Sequence, residues 1–262
     1  MGRVDCKVLK HQRLTQDMFR ATFESPEISG GSLPGQFVHL RVGSGIDPLL
    51  RRPFSIHRVD KERNCFDLLY RVVGCGTAMM SLYTEGDYCD MMGPLGVGFD
   101  LTGSFSRALV VAGGMGSAPA FFLMDELVSL GKEVAFLWGV RKKDEIFDIR
   151  LLEKQGISVH YATDDGSLGY KGLVTGLLEK YLKENPQDAS TRGFVCGPEP
   201  MLMQVQKITE EYNVLWQASL EERMACGIGV CQGCGARMKE DGYRMVCSEG
   251  PVFDLQEVVF HA

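Results

Sequence analysis

The chain has 262 residues, 45% of them apolar and 24% charged, which excludes disorder, collagen and coiled coil. Lys and Arg total 28 against 34 Asp and Glu, and the net charge of −6 argues against nucleic acid or an anionic membrane surface as the main partner. Nine cysteines, an odd number on so long a chain, do not form a secreted disulfide framework, and 31 glycines point to turns where the backbone approaches something closely.

Met1 to Phe23 mixes charges throughout and lacks the apolar core of a signal peptide, so a cytoplasmic protein with reduced thiols is expected. Phe37 to Val42, Phe54 to Val59, Phe66 to Val72 and Asp87 to Met92 read as strands between Gly, Pro, Ser and Asp clusters. That spacing predicts a small antiparallel barrel. Within it, Arg52-Pro53-Phe54-Ser55 places a guanidinium and a hydroxyl at a strand entrance, suited to a phosphate and a polar ring edge. Leu69-Tyr70-Arg71 ends a later strand, and Gly74-Cys75-Gly76-Thr77 opens a helix. Each piece alone reads more readily as surface arginines or an ordinary turn; together they suggest two sides of one phosphate-bearing cofactor.

From Arg107 the rhythm changes. The uncharged run up to Asp125 is 17 residues long and broken by Gly113, Gly114, Gly116 and Pro119. It is too short for a membrane helix, which needs about 20 residues, and reads as a strand (Ala108 to Ala112), a glycine loop and a helix (Ser117 to Leu130). Such a loop turns backbone N–H groups and a positive helix end toward a diphosphate, although Pro119 stands where the third fingerprint glycine would be. A tight turn without a ligand is the competing reading. Strands at Glu133 to Gly139, Ile157 to Thr163, Gly193 to Gly197 and Val214 to Leu220 alternate with helices at Lys143 to Gln155, Leu173 to Glu184 and Met201 to Tyr212. Alternation of this kind means a parallel sheet.

After Glu221 cysteines take over: Cys226, Cys231, Cys234 and, after twelve intervening residues, Cys247. C-x4-C-x2-C…C is the plant-type 2Fe–2S spacing. Gly227, Gly229, Gly233 and Gly235 let backbone N–H groups approach sulfur without a Cβ in the way. Zinc is the rival, but zinc ribbons carry two C-x2-C knuckles and this chain has one. Cys6, Cys65, Cys75 and Cys89 read as small buried or half-buried residues. His11, His39, His57, His160 and His261 show no ligand-like pairing and read as structural or solvated.

The expected architecture is α/β plus β in three domains: an antiparallel β-barrel over 1–102, a parallel-sheet α/β domain over 103–220, and a cysteine-rich module over 221–262. Arg52-Pro-Phe-Ser, Gly76-Thr77, Gly93-Pro-Leu-Gly-Val-Gly-Phe99, the Gly113 loop and Cys196-Gly-Pro-Glu-Pro-Met201 follow one another as in the ferredoxin–NADP reductase superfamily, which the chain resembles over nearly its whole length. Ser219-Leu-Glu-Glu-Arg-Met-Ala-Cys-Gly-Ile-Gly-Val-Cys231 and Thr163-Asp-Asp-Gly-Ser-Leu-Gly169 resemble the electron-transfer subunits of dihydroorotate dehydrogenase B. Small subunits of electron-bifurcating transhydrogenases and sulfide dehydrogenases share the plan, but some replace a cluster cysteine, and all four are present here.

The resemblance implies FAD in the barrel, held by Arg52 to Ser55, Leu69 to Arg71, Gly76 and Thr77. It implies NAD(H) on Gly113, Gly114 and Gly116, with Cys196 and Gly197 beside the nicotinamide. Cys196 reads equally as a buried strand residue. Asp164 and Asp165 would repel a 2′-phosphate if they face the ribose, while Arg141 and Lys142 argue the other way. Hydride would pass from NADH to FAD and single electrons to a cluster on Cys226, Cys231, Cys234 and Cys247. From there they would reach the FMN of a separate catalytic subunit interconverting dihydroorotate and orotate, in a heterotetramer of two of each chain. That sequence needs no acid–base triad.

Overall fold

The computed structural model describes residues 2–43, 45–240 and 242–260; His261 lies outside them. The first eight elements are β1 (Arg3–Arg13), β2 (Met18–Glu24), α1 (Pro26–Gly31), β3 (Phe37–Leu40), β4 (Arg52–Asp60), β5 (Cys65–Arg71), α2 (Cys75–Met80) and β6 (Tyr88–Leu95). The six strands close into a barrel in the order β1-β2-β5-β4-β3-β6, every pairing antiparallel. The two strands not expected, β1 and β2, come from the charged amino-terminal stretch. Val4, Cys6 and Val8 alternate there with Asp5 and Lys7, and Cys6 and Val8 are buried in the barrel core with Phe23, Val38 and Leu68.

The second group is β7 (Arg107–Gly113), α3 (Ser117–Ser129), β8 (Glu133–Val140), α4 (Ile149–Lys154), β9 (Ser158–Thr163), β10 (Tyr170–Lys171), α5 (Val174–Glu184), β11 (Thr191–Cys196), α6 (Glu199–Thr209) and β12 (Leu215–Ser219). β7 is buried from Ala108 to Gly113 and β8 from Phe136 to Val140, as strands covered by helices on both faces must be. The expected helix over Lys143 to Gln155 is instead a 3-10 turn, Lys143–Glu145, followed by α4. Tertiary contacts break it: Phe147 stacks on Phe121 at 5.1 Å, and Asp148, at φ 53°, pairs with Arg20 of β2.

The tail adds β13 (Gly235–Arg237), β14 (Tyr243–Met245) and β15 (Val252–Asp254). β13 and β14 form a hairpin, and β15 joins β12 antiparallel at the edge of the sheet, whose order is β10-β9-β8-β7-β11-β12-β15. The cysteine module is thereby tied into the α/β sheet, and a bridge from Pro251 to Val97 ties it to the end of the barrel.

Candidate functional site

The strand order reverses at β7, since β8 and β9 lie on one side of it and β11 and β12 on the other. In open α/β sheets ligands bind at the carboxyl ends of the strands flanking such a reversal. Gly113 ends β7 and Cys196 ends β11, with Ala112 opposite Cys196 in the parallel register. Gly116 lies so close to β11 that a Cβ there would strike the Cys196 carbonyl. Gly114 serves conformation instead, with φ of +55° and open space around it. Pro119 falls in the first turn of α3, where its missing N–H costs no helical hydrogen bond.

Two cavities open from this junction. One, of about 330 Å³, is bounded by Pro53, Phe54, Ser55, Leu69, Tyr70, Arg71 and Thr77 of the barrel. Gly116, Cys196 and Gly197 of the α/β domain face them across it. The other, of about 670 Å³, runs from Gly113 and Gly114 past Arg141 and Asp164. Arg71 lines both.

Most of the residues expected to act together are thus brought together. Arg52 and Gly76 do not line the first cavity but pack on each other, a Cβ at Gly76 falling 2.6 Å from Arg52 Nε. The Thr77 hydroxyl accepts from the N–H groups of Val73 at 2.9 Å and Gly74 at 3.2 Å, which shapes the entry to α2. Asp164 lines the second cavity, whereas Asp165 is exposed and its carboxylate accepts the Ser167 N–H at 2.9 Å. Hydrogen bonds from Ser167 hold the Asp165 carboxyl below the usual range. Burial, and then the Glu221 charge, push the Cys196 thiol far up, so it remains protonated.

Other residues of the site escaped the sequence reading. His11, read as structural or solvated, fixes Tyr70: its Nδ1 donates to the Tyr83 carbonyl at 2.8 Å, leaving Nε2 to accept the Tyr70 hydroxyl at 2.8 Å. Phe54 packs edge-on against the same Tyr70 ring at 5.9 Å. Glu221 lines the first cavity from the end of the α/β domain, and desolvation raises its carboxyl. No local pattern marks either residue; the only signal was Glu221's place directly after the last parallel strand.

The four tail thiols fall into two contacting pairs. Cys226 and Cys231 meet, and the backbone N–H groups of Ile228 and Cys231 pull the Cys226 thiol down to about 6. Cys234 and Cys247 meet, and burial pushes Cys247 up to about 11, with the Cys226 charge also acting on it. The Gly229 N–H donates to Cys247 Sγ at 3.0 Å and the Cys231 N–H to Cys226 Sγ at 3.4 Å. Among the described residues no three His, Cys, Asp or Glu side chains close into a single-ion ligand set. Two thiol pairs, with N–H groups aimed at sulfur and Gly227 and Gly229 at positive φ, suit the four-thiolate ligand set of a 2Fe–2S cluster. Of the scattered cysteines, Cys6, Cys65 and Cys89 are buried as expected, but Cys75 is exposed at the start of α2.

Known proteins share this arrangement. The family profile described as the iron-sulfur cluster binding domain of dihydroorotate dehydrogenase B matches residues 221–259, and that of the oxidoreductase NAD-binding domain matches 110–207. A solved structure titled for flavin-based electron bifurcation via the NADH-dependent reduced ferredoxin–NADP oxidoreductase superposes with a TM-score of 0.87 at 28% identity, over 97% of this chain and 89% of that one. A ferredoxin NADP+ reductase from Neisseria gonorrhoeae, TM-score 0.67 at 18% identity over 80% of this chain and 92% of that one, shares the fold. Barrel, parallel sheet and cysteine module therefore define a nucleotide-dependent oxidoreductase of the ferredoxin–NADP reductase fold with an iron–sulfur domain. Electron transfer subunits of dihydroorotate dehydrogenase B (NAD(+)) are 40% identical in Desulforamulus reducens, over 98% of both chains, and 38% identical in Bacillus cereus, over 99% of both. This chain belongs to that family.

Proposed function

We propose that this chain carries electrons from NADH through FAD and a 2Fe–2S cluster to a separate dihydroorotate dehydrogenase catalytic subunit. The observation that carries the reading is the 330 Å³ cavity, in which the Pro53–Ser55 and Leu69–Arg71 segments face Cys196 and Gly197. Two cofactors that must exchange a hydride need one shared space, and among the described residues both sets line this cavity. Among the described residues, no helix is long and apolar enough to cross a membrane.

When bound, the flavin would supply two-electron hydride chemistry and the cluster one-electron chemistry, neither of which any side chain here supplies. The protein supplies position. Arg71 offers a guanidinium group from the cavity wall to a diphosphate and Arg52 one from its place against Gly76 outside the lining, Ser55 a hydroxyl to a ring edge, and the Tyr70 ring, clamped by His11, a flat apolar wall. Gly113, Gly114 and Gly116 let the backbone approach the second dinucleotide, whose cavity is lined both by Asp164, which opposes a 2′-phosphate, and by Arg141, which would accept one. Cys196, held as a neutral thiol, gives the nicotinamide side a small apolar surface rather than a nucleophile. Cys226, Cys231, Cys234 and Cys247 would hold the cluster, with the Gly229 and Cys231 N–H groups donating to the Cys247 and Cys226 ligand sulfurs.

The partner is read as the FMN-containing catalytic subunit, two of each chain per assembly, in the cytoplasm, with domains over 1–102, 103–220 and 221–262. The test is NADH-dependent orotate reduction by the complex purified anaerobically, with the co-purifying chain identified. Turnover with an FMN-containing partner is expected. A different partner and no orotate turnover would favour the second reading, a small subunit of an electron-bifurcating complex, to which the 0.87 superposition lends support.

A further inference from the structure

His39 of β3 stands between the flavin side and the cluster side of the molecule. Its backbone pairs with Pro53 of β4, inside the Arg52–Ser55 segment. Its ring lies against the cysteine loop: a Cβ on Gly227 would fall 2.5 Å from His39 Nδ1, and Gly227 follows the cluster cysteine Cys226 at φ +71°. The strand is braced from behind by Arg51, whose guanidinium donates to the His39 carbonyl at 3.3 Å, to the Asp90 carbonyl at 3.0 Å and to the Asp90 carboxylate at 2.7 Å.

The ring is fully buried. It faces backbone of both Arg51 and Cys226, yet neither nitrogen closes a hydrogen bond of normal geometry among the described residues. A buried polar group left open costs roughly 1–3 kcal/mol. A ring with both nitrogens open can still close a hydrogen bond to the backbone it faces. What it faces is the peptide that carries the first cluster ligand.

We propose that His39 is a positioning residue that holds the Cys226–Gly227 peptide against the flavin-binding strand, fixing the reach and the surroundings of the cluster relative to the flavin. The inference rests on the reading above that the barrel holds FAD and the four cysteines a 2Fe–2S cluster. His39 itself gains and loses no electron. It acts through Cys226, because cluster potential follows the hydrogen bonding and solvent exposure of the ligand sulfurs, and outer partners of this kind commonly matter by about 10–100-fold.

The experiment uses the full chain loaded with FAD and cluster, as the parent and as His39→Leu and His39→Gln. Three quantities are read: bleaching of the flavin by NADH, appearance of the reduced-cluster signal by electron paramagnetic resonance, and the cluster midpoint potential. In His39→Leu, bleaching stays within about twofold of the parent, while cluster reduction slows by about 10–100-fold and the resonance lines and potential move. His39→Gln, which keeps a donor and an acceptor, recovers most of the rate. A His39→Leu protein with full iron and parent-like cluster reduction, resonance lines and potential overturns the proposal. If His39→Leu cannot retain the cluster, His39→Gln decides: a retained cluster with parent-like lines supports the role, and loss in both variants overturns it as a general packing defect. A parent chain that takes up neither flavin nor iron defeats the functional reading first, and the inference with it.

Discussion

The Arg71 guanidinium of β5 meets Glu145, in the turn after β8, at 2.9 Å across the junction of barrel and α/β domain, and both side chains are about 10% exposed. The same guanidinium reaches Asp17 at 3.2 Å. Removing one member of a buried pair strands the other. Glu145→Gln is therefore expected to cost about 2 kcal/mol in denaturant unfolding, less than the ~3–5 kcal/mol of a fully stranded charge because Asp17 remains. A double-mutant cycle with Arg71→Met checks it. Additive effects would show that the contact does not join the domains energetically.

Gly116 and Gly114 make a matched pair of substitutions. At Gly116 a methyl group would meet the Cys196 carbonyl and the Gly197 Cα, neither of which can rotate away. Gly116→Ala should raise the KM for NADH at least about tenfold and lower stability by roughly 1–3 kcal/mol through forced backbone movement. Gly114→Ala meets only the strain of its positive φ, about 1 kcal/mol. Equal behaviour of the two variants in steady-state kinetics and melting would remove the close approach from the account.

Cys231 is the exposed member of its thiol pair. Cys231→Ser should lower bound iron and cut NADH-dependent orotate reduction by the complex by about 100-fold. NADH-dependent reduction of an artificial flavin acceptor should change by less than about threefold, since hydride uptake lies upstream of the cluster. Iron and acid-labile sulfide analysis alongside the two assays separates cluster loss from flavin loss.

His57 of β4 donates through Nδ1 to the Ala118 carbonyl of α3 at 2.9 Å and is wholly buried. Burial, helped by the Arg58 and Arg20 charges, lowers its pKa to about 3. The unfolded chain, with an ordinary histidine near 6.5, binds the proton first as pH falls. The contribution is complete above pH ~6.5 and is lost toward pH ~3, with a limiting slope of about 1.4 kcal/mol per pH unit. His57→Gln should flatten that part of the stability–pH curve; an unchanged slope would place the acid sensitivity elsewhere.

Periodicity located the central barrel strands and the parallel sheet because their burial is set by the strand itself. It failed where distant contacts overrode it. The stretch from Lys143 to Gln155 has helical composition, yet the Phe147 stack on Phe121 and the Arg20–Asp148 pair break it in two. The first two barrel strands were hidden because their outward residues are charged and only every second side chain reports the core. Exposure at Cys75 was equally illegible, since a helix start can face either way.

By itself the sequence determined the cysteine spacing, the glycine loop between strand and helix, and the order of the barrel, sheet and cysteine modules. These are local properties of a few consecutive residues, and chemistry that needs thiols or bare backbone at fixed intervals can be read from them. Only the tertiary structure decided which thiols pair, that Arg71 faces both cavities, and that His39 meets Gly227. Those contacts depend on strand register and on how the tail returns to the edge of the sheet beside β12, and a one-residue slip would turn each such strand side chain to the opposite face.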